Sequence, residues 1–334
     1  MKIAFYDTHK FEKEIFEDVN KEYGFEVDFL GMRLNTKTAL AAAGAQAVCV
    51  FVNDQVDEEC IMKLKELGIR HIALRSAGFN NVDLNAAKKY QISVSRVPGY
   101  SPYSVAEFAV GLLLSVNRKI HRSYGRVREL NFSLDGLVGF DLHGKTVGVI
   151  GAGKIGKIFA KIMLAFGCKV LVQDQFQDDE LRSMSGVDYV DINELCKKSD
   201  VISLHVPLTP ETHHIINETN INQMKKGVIL INTGRGALID TRALIEGLKK
   251  EFIGAAALDV YEEEEDVFFQ DLSNQVLQDD VLARLLTFPN VLITSHQAFL
   301  TREALHNIAS STMQSIEDCE LPKSTRSQVS NFLV

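Results

Sequence analysis

The chain is poor in what several protein classes require. It has five cysteines (Cys49, Cys60, Cys168, Cys196 and Cys319), an odd set with no C-x-x-C spacing. That excludes a disulfide framework and gives no zinc-type ligand set, so no metal site is expected; it fits reduced thiols in a cytoplasm. No apolar run approaches the length that crosses a bilayer, and the opening Met1-Lys2-Ile3-Ala4-Phe5-Tyr6-Asp7 reads as a strand rather than a signal peptide. Basic residues are outnumbered: 36 Lys and Arg against 44 Asp and Glu give a net charge of −8. An acidic surface argues against nucleic acid or an anionic membrane as a partner, so a small anion must be held by local positive groups. Internal repeats are absent, and the one biased tract is the acidic run Glu262–Asp266.

What remains is an ordinary globular composition, 46% apolar and 24% charged, over 334 residues, enough for two domains. The most informative stretch is Val147-Gly-Val-Ile-Gly-Ala-Gly-Lys-Ile-Gly156. A β-rich apolar run stops at Gly151 and a helical pattern follows, so Gly151, Gly153 and Gly156 have G-x-G-x-x-G spacing between a strand and a helix. The first glycine permits the tight turn, the second lets backbone approach a pyrophosphate, and the third lets helix and strand pack closely. The helix start, with Lys154 and Ile155, offers free N–H groups and the positive end of a dipole. A second apolar run ends at Asp174, eighteen residues past Gly156. A carboxylate there accepts from an adenosine ribose and repels a 2′-phosphate, which points to NAD as cofactor.

Strands and amphipathic stretches alternate along the chain. Lys2–Tyr6, Glu26–Leu30, Ala47–Phe51, His71–Leu74 and Gln91–Ser95 read as strands, with helices at Phe11–Tyr23, Asp57–Leu67 and Asn85–Tyr90. This segment has no glycine fingerprint. Pro98-Gly99-Tyr100-Ser101-Pro102 breaks the pattern, and one long helix is expected from Tyr103 to about Glu129. Alternation resumes with strands at Val147–Ile150, Lys169–Val172, Val201–Leu204, Val228–Asn232, Gly254–Leu258 and Val291–Thr294. A helix from Glu303 to about Cys319 and an irregular tail returning to the first domain end the chain. The reading is an α/β protein of two doubly wound parallel-sheet domains. Residues 1–100 and 300–334 form a flavodoxin-like substrate domain, and a Rossmann-type NAD domain, 101–299, is inserted into it.

Three strand ends carry chemistry. Asn232-Thr233-Gly234-Arg235-Gly236 presents a guanidinium between glycines, suited to a carboxylate. Asp259 ends the next strand, before the acidic run. His296, after the last strand, is a candidate acid/base group. Hydride transfer to a carbonyl also needs a proton donor and a polarising group, so the inventory fits a 2-oxo acid and its 2-hydroxy acid.

In order and spacing, Gly151–Gly156 with Asp174, Asn232–Asp240, Leu258–Glu264 and Ser295–Phe299 resemble the D-isomer-specific 2-hydroxyacid dehydrogenase family over essentially the whole chain. The stretches Arg75–Asp83, Val97–Pro102, Asp266–Asp271 and His296–Thr301 look like the fermentative NAD-dependent D-lactate dehydrogenases within it. The resemblance implies that His296 protonates the carbonyl oxygen of pyruvate, that Glu264 pairs with His296, and that Arg235 binds the carboxylate. It makes Asp259 a supporting group for the histidine and a neighbour of the cofactor. Ala77 and Gly78 N–H groups would hold the carboxylate, with Tyr100 and Phe299 near the substrate. His205, Val206, Pro207, Thr233 and Gly234 would lie along the cofactor. Glutamate at 264 disfavours formate oxidation, since the formate-oxidising relatives carry glutamine there. The resemblance implies a homo-oligomer. It leaves open another 2-oxo acid, such as those of hydroxyisocaproate or glycerate dehydrogenases, and an NAD-sensing corepressor-like binding protein.

Overall fold

The computed structural model describes residues 1–264, 267–319 and 331–334. Glu265 and Asp266 of the acidic run, and tail residues 320–330, lie outside the described residues. The chain divides into two compact units, Met1–Ser101 with Leu300–Val334, and Pro102–Phe299.

In the first unit, β1 (Lys2–Phe5), α1 (Lys10–Tyr23), β2 (Glu26–Phe29), β3 (Ala47–Val50), α2 (Glu58–Glu66), β4 (His71–Leu74), α3 (Leu84–Lys89) and β5 (Ser93–Ser95) alternate. The five strands form a parallel sheet in the order β2-β1-β3-β4-β5, the flavodoxin-like order. β3 and β4 are buried along their whole length, which is why they read as continuous apolar runs rather than alternating ones. Asp57 and Asp83 start their helices by accepting N–H bonds from Cys60 and Ala86, caps worth about 1 kcal/mol each. At the far end of the chain, Leu333 N–H donates to the Val94 carbonyl and Phe332 bridges Ser95 in antiparallel sense, so residues 331–334 cover the β5 edge.

The second unit begins with α4 (Pro102–Arg118) and α5 (Ile120–Arg128). The single helix expected over 103–129 is therefore two: Lys119 takes φ +53, a left-handed conformation that ends the ladder between them. Next come β6 (Thr146–Ile150), α6 (Lys154–Ala165), β7 (Lys169–Gln173), α7 (Asp179–Arg182), β8 (Val187–Tyr189), α8 (Ile192–Lys198), β9 (Val201–Leu204), α9 (Glu218–Ile221), β10 (Val228–Asn232), α10 (Thr241–Lys249), β11 (Ile253–Leu258), α11 (Asp280–Leu286) and β12 (Val291–Ile293). The last helix, α12 (Arg302–Asp318), belongs to the first unit, where it packs on α1. The short α7, β8 and α11 were not expected from the sequence.

Seven parallel strands form the second sheet, in the order β12-β11-β10-β9-β6-β7-β8. Its inward residues alternate by face. Ile150, Leu230 and Ala256 join one core with α8 to α11, while Val147, Val149, Ile229 and Ile231 join another with α4 and α6. Helices thus cover both faces, as an all-parallel sheet requires. The winding reverses between β6 and β9, and the crevice at such a switch point opens beyond the carboxyl ends of the strands.

Candidate active site

Because all seven strands run the same way, every motif that follows a strand emerges on one edge. Reading along the sheet order, that edge carries His296 after β12, Asp259 after β11, Arg235 after β10, His205 after β9, Gly151 after β6 and Asp174 after β7. Main-chain bonds lock neighbouring ends together: Thr294 N–H to Leu258 O, Asp259 N–H to Asn232 O, His205 N–H to Ile150 O, and Gly151 N–H to Gln173 O.

At the switch point the three fingerprint glycines do three different things. Gly151 has φ +91, and a Cβ there would press on Val206 Cγ1 and the His205 carbonyl. Gly156 leaves no room at all, since a Cβ would overlap the Gly151 carbonyl oxygen where α6 crosses the strand. Gly153 is the opposite case. A Cβ built on it meets nothing within 4 Å, and as the N-terminal boundary of α6 it leaves open space beside the helix's free N–H groups. Lys154 is exposed at that helix start and Ile155 is half-buried beneath it. Asp174 Oδ2 accepts from Ala152 N–H at 2.6 Å and Oδ1 from Phe176 N–H at 2.9 Å, so its carboxylate is fixed against the glycine turn. An anion-attracting helix start with an open glycine before it and a fixed carboxylate across the turn fits a pyrophosphate and a ribose without a 2′-phosphate.

His205 is packed against the Phe159 ring and bonds Ser203 Oγ through Nε2 at 2.9 Å. Burial drives its pKa from the ordinary 6.5 to about 3, so it is a neutral imidazole. Val206 rests on Gly151, Pro207 accepts from Thr212 Oγ1, and Thr233 keeps a buried hydroxyl oxygen with no hydrogen-bond partner among the described residues. An orphaned buried hydroxyl at a strand end beside the crevice is a feature that a ligand would satisfy.

Arg235 is positioned by its neighbours. The Asn232 side chain holds both sides of the turn, accepting from Gly234 N–H at 3.0 Å and donating to the Arg235 carbonyl at 2.8 Å. Gly236 is required because a Cβ there would overlap the Tyr261 carbonyl and Glu262 nitrogen. Arg235 Nη1 donates to the Gly234 carbonyl at 2.8 Å.

The histidine is held more elaborately. Asp259 is fully buried, and its carboxylate takes Thr294 Oγ1 (2.6 Å), Gln297 N–H (2.9 Å) and Ala298 N–H (2.8 Å), while its carbonyl takes His296 N–H at 2.7 Å. The loop 294–298 is wrapped around this one side chain, and within it His296 takes φ +53, a left-handed conformation uncommon for a residue other than glycine. Burial pushes the Asp259 carboxyl pKa up, against the hydrogen bonds and the nearby His296 that pull it down. Asp259 thus reaches His296 through backbone. The imidazole contacts Glu264: Nδ1 lies 2.9 Å from Oε1, and Oε2 accepts from Tyr261 N–H at 3.3 Å. Phe269 flanks the imidazole with ring centroids 5.8 Å apart. Asn232, Thr294, Tyr261 and Phe269 were not singled out from sequence; the two-residue spacing of Thr294 and His296 at a strand end was the one available signal. Glu262, just before, bonds His214 Nε2 at 2.7 Å and Thr241 Oγ1 at 2.8 Å. Phe299, the last residue of this unit, is buried.

In the first unit, Ser76 Oγ donates to the Gly78 carbonyl at 2.7 Å and Arg96 Nη1 to the Ala77 carbonyl at 3.0 Å. These bonds fix the loop after β4 by its carbonyls and leave the Ala77 and Gly78 N–H groups without a hydrogen-bond partner among the described residues. The Tyr100 carbonyl accepts from Asn307 Nδ2 at 2.7 Å.

A dinucleotide-binding edge carrying a carboxylate-paired histidine and an arginine defines an NAD-dependent oxidoreductase. Residues 110–298 match the family model of the D-isomer specific 2-hydroxyacid dehydrogenase NAD-binding domain. The chain is 51% identical to the D-lactate dehydrogenase of Escherichia coli strain K12, over 96% of this chain and 97% of that one. The apo structure of D-lactate dehydrogenase from E. coli superposes with a TM-score of 0.90 at 47% identity, covering all of both chains. The pyruvate reductase of Chlamydomonas reinhardtii also gives 0.90, at 42% identity over 95% of this chain and 96% of that one. The chain belongs to the D-isomer-specific 2-hydroxyacid dehydrogenases, which reduce 2-oxo acids with NADH. No helix among the described residues is long and apolar enough to cross a membrane.

Proposed function

We propose that the substrate pair is pyruvate and D-lactate, and that His296 is the acid/base group. The observation that carries the chemistry is the His296–Glu264 contact. A carboxylate on Nδ1 fixes that nitrogen as N–H and leaves Nε2 as the one that exchanges a proton with substrate. NADH, when bound, would supply the hydride that reduces the carbonyl carbon and leave as NAD+. His296 gives the carbonyl oxygen its proton from Nε2, and Glu264 stabilises the imidazolium before transfer. In the oxidising direction His296 takes the hydroxyl proton. Arg235 binds the carboxylate and polarises the carbonyl, with the unpartnered N–H groups of Ala77 and Gly78 as further carboxylate donors and Tyr100 and Phe299 near the substrate. At the helix start Gly153, Lys154 and Ile155 hold the pyrophosphate, with Gly151 and Gly156 shaping the turn beneath them. Asp174 holds the ribose and His205, Val206, Pro207, Thr233 and Gly234 line the rest, whereas Asp259, fully buried, supports this edge through loop 294–298 and does not itself reach the cofactor.

The names of the relatives and the apolar character of Phe51, Val52, Phe79 and Phe299 favour an alkyl 2-oxo acid. The test is NADH oxidation with pyruvate beside 2-oxobutyrate, hydroxypyruvate and 2-oxoisocaproate, with chiral analysis of the product. Highest kcat/KM on pyruvate with D product is expected; preference for a bulkier or hydroxylated acid would replace the substrate and keep the mechanism.

The working form is a homo-oligomer in the cytoplasm. α5 buries none of its residues and exposes Ile120, Tyr124 and Val127 along one stripe, continued by Leu130, Phe132 and Leu134, an apolar surface of the kind a second copy covers. All five cysteines are free thiols, as a reducing compartment keeps them.

A further inference from the structure

One cluster lies beside the catalytic segment without belonging to it. His213 and His214 are consecutive, and their rings stack at a centroid distance of 3.9 Å. His214 is left-handed, φ +50, which turns its ring toward Glu262. One ring nitrogen from each histidine and one Glu262 oxygen lie within 4.8 Å of one another. Glu262 is held in place from behind, since Thr241 Oγ1 and N–H both bond its other oxygen, Oε2. The orientation of a metal-ligating carboxylate by outer hydrogen bonds is the usual device for presenting one oxygen to an ion. His213 is exposed and, among the described residues, makes no side-chain hydrogen bond, so the structure gives its ring no other task.

Two imidazoles and one carboxylate with an open side match the ligand set of borderline divalent ions, zinc foremost, with water in the fourth position. Tetrahedral zinc at ~2.1 Å from each donor separates the donors by about 3.4 Å. Reaching that needs a modest opening of the 2.7 Å His214–Glu262 contact and a rotation of the exposed His213 ring. The ion takes the place of the proton between Nε2 and Oε1, and the His214 ring then carries its proton on Nδ1.

We propose that His213, His214 and Glu262 form an open three-ligand site for a divalent transition ion of the zinc class, through which the ion restrains the segment bearing Glu264. Tyr261 N–H bonds Glu264 Oε2, Glu264 Oε1 bonds His296, and Glu262 sits between them in the chain. Pinning Glu262 to an ion fixes the short segment that must adjust as His296 gains and loses a proton. The effect on turnover rests on the acid/base reading above; the binding does not.

The test is a Co2+ titration of the untagged full-length chain with NADH present, followed by visible absorption and competed with Zn2+, alongside kcat at saturating Zn2+. One equivalent of Co2+ with tetrahedral bands, a kcat lowered several-fold by Zn2+, and loss of both in His213→Ala are expected. In His213→Ala the affinity for Co2+ falls at least tenfold and kcat without metal stays unchanged. Glu262→Gln gives the same loss of binding, and should it fail to fold, His213→Ala at the exposed position still decides. Binding by His296→Gln with wild-type affinity separates the site from the acid/base reading. Absence of a one-equivalent Co2+ complex, undiminished affinity in His213→Ala, or a kcat indifferent to saturating Zn2+ would each overturn the proposal.

Discussion

His296 Nδ1 sits 2.9 Å from Glu264 Oε1, and both side chains are mostly but not wholly withdrawn from solvent, at 16% and 20% exposure. A pair this placed acts as a unit. The carboxylate determines which imidazole nitrogen carries the fixed proton, so on the proposed acid/base reading Glu264 acts only through His296. His296→Gln is expected to lower kcat by about two to four orders of magnitude with NADH affinity retained. Glu264→Gln should cost about ten- to a hundredfold, and the double variant should be no worse than His296→Gln alone. Steady-state kinetics with NADH binding by fluorescence measure all three; losses that multiply in the double variant would show two independent roles.

Asp174 yields a prediction about cofactor choice with a built-in control. Its carboxylate holds Ala152 N–H and Phe176 N–H, besides the ribose contact proposed for it. Asp174→Ala removes charge and acceptors together, so weaker NADH binding alone could reflect a loosened turn. Asp174→Asn keeps an acceptor and removes the charge that repels a 2′-phosphate. In both variants the preference for NADH over NADPH should narrow, by tenfold or more, equivalent to about 1.4 kcal/mol. The ratio of kcat/KM for the two cofactors is the readout, and an unchanged ratio in both would remove Asp174 from the ribose.

Much of the catalytic edge was legible because parallel sheets concentrate function at strand ends, and strand ends are what apolar runs mark best. Val228–Asn232 is five buried residues followed by a glycine-flanked arginine; both the strand and the importance of Arg235 follow from that string. The fingerprint was legible for the same reason, three glycines at a strand-to-helix turn. What was not legible depends on contacts between residues far apart in sequence. Nothing near Asp259 reveals that it anchors a loop some 38 residues on, because its partners at 297 and 298 are backbone N–H groups that any residue type supplies. The pairing of His214 with Glu262 across 48 residues is hidden likewise. The break at Lys119 was missed because the helical pattern continues on both sides of it. α7 and β8 are too short and too polar for periodicity to detect.

His205 links the fingerprint to acid stability. Its pKa, near 6.5 in an unfolded chain, is held at about 3 in the folded one by burial alone. The unfolded chain therefore binds this proton as pH drops through 6.5 while the native chain refuses it until about 3. The stabilising difference is complete above pH 6.5 and is lost on acidification, by about 1.4 kcal/mol for each pH unit within that window. Other groups titrate there too, so the contribution is read as a difference between proteins. His205→Gln removes the titrating ring and leaves an amide able to bond Ser203 Oγ, at some packing cost against Phe159. Denaturant unfolding at pH 7.5, 6.0 and 5.0 should show wild type losing stability faster than the variant below 6.5, whatever the offset at pH 7.5. Parallel pH dependences would mean that the native ring accepts the proton, and the glycine turn resting on the His205 carbonyl would then have to move to solvate it.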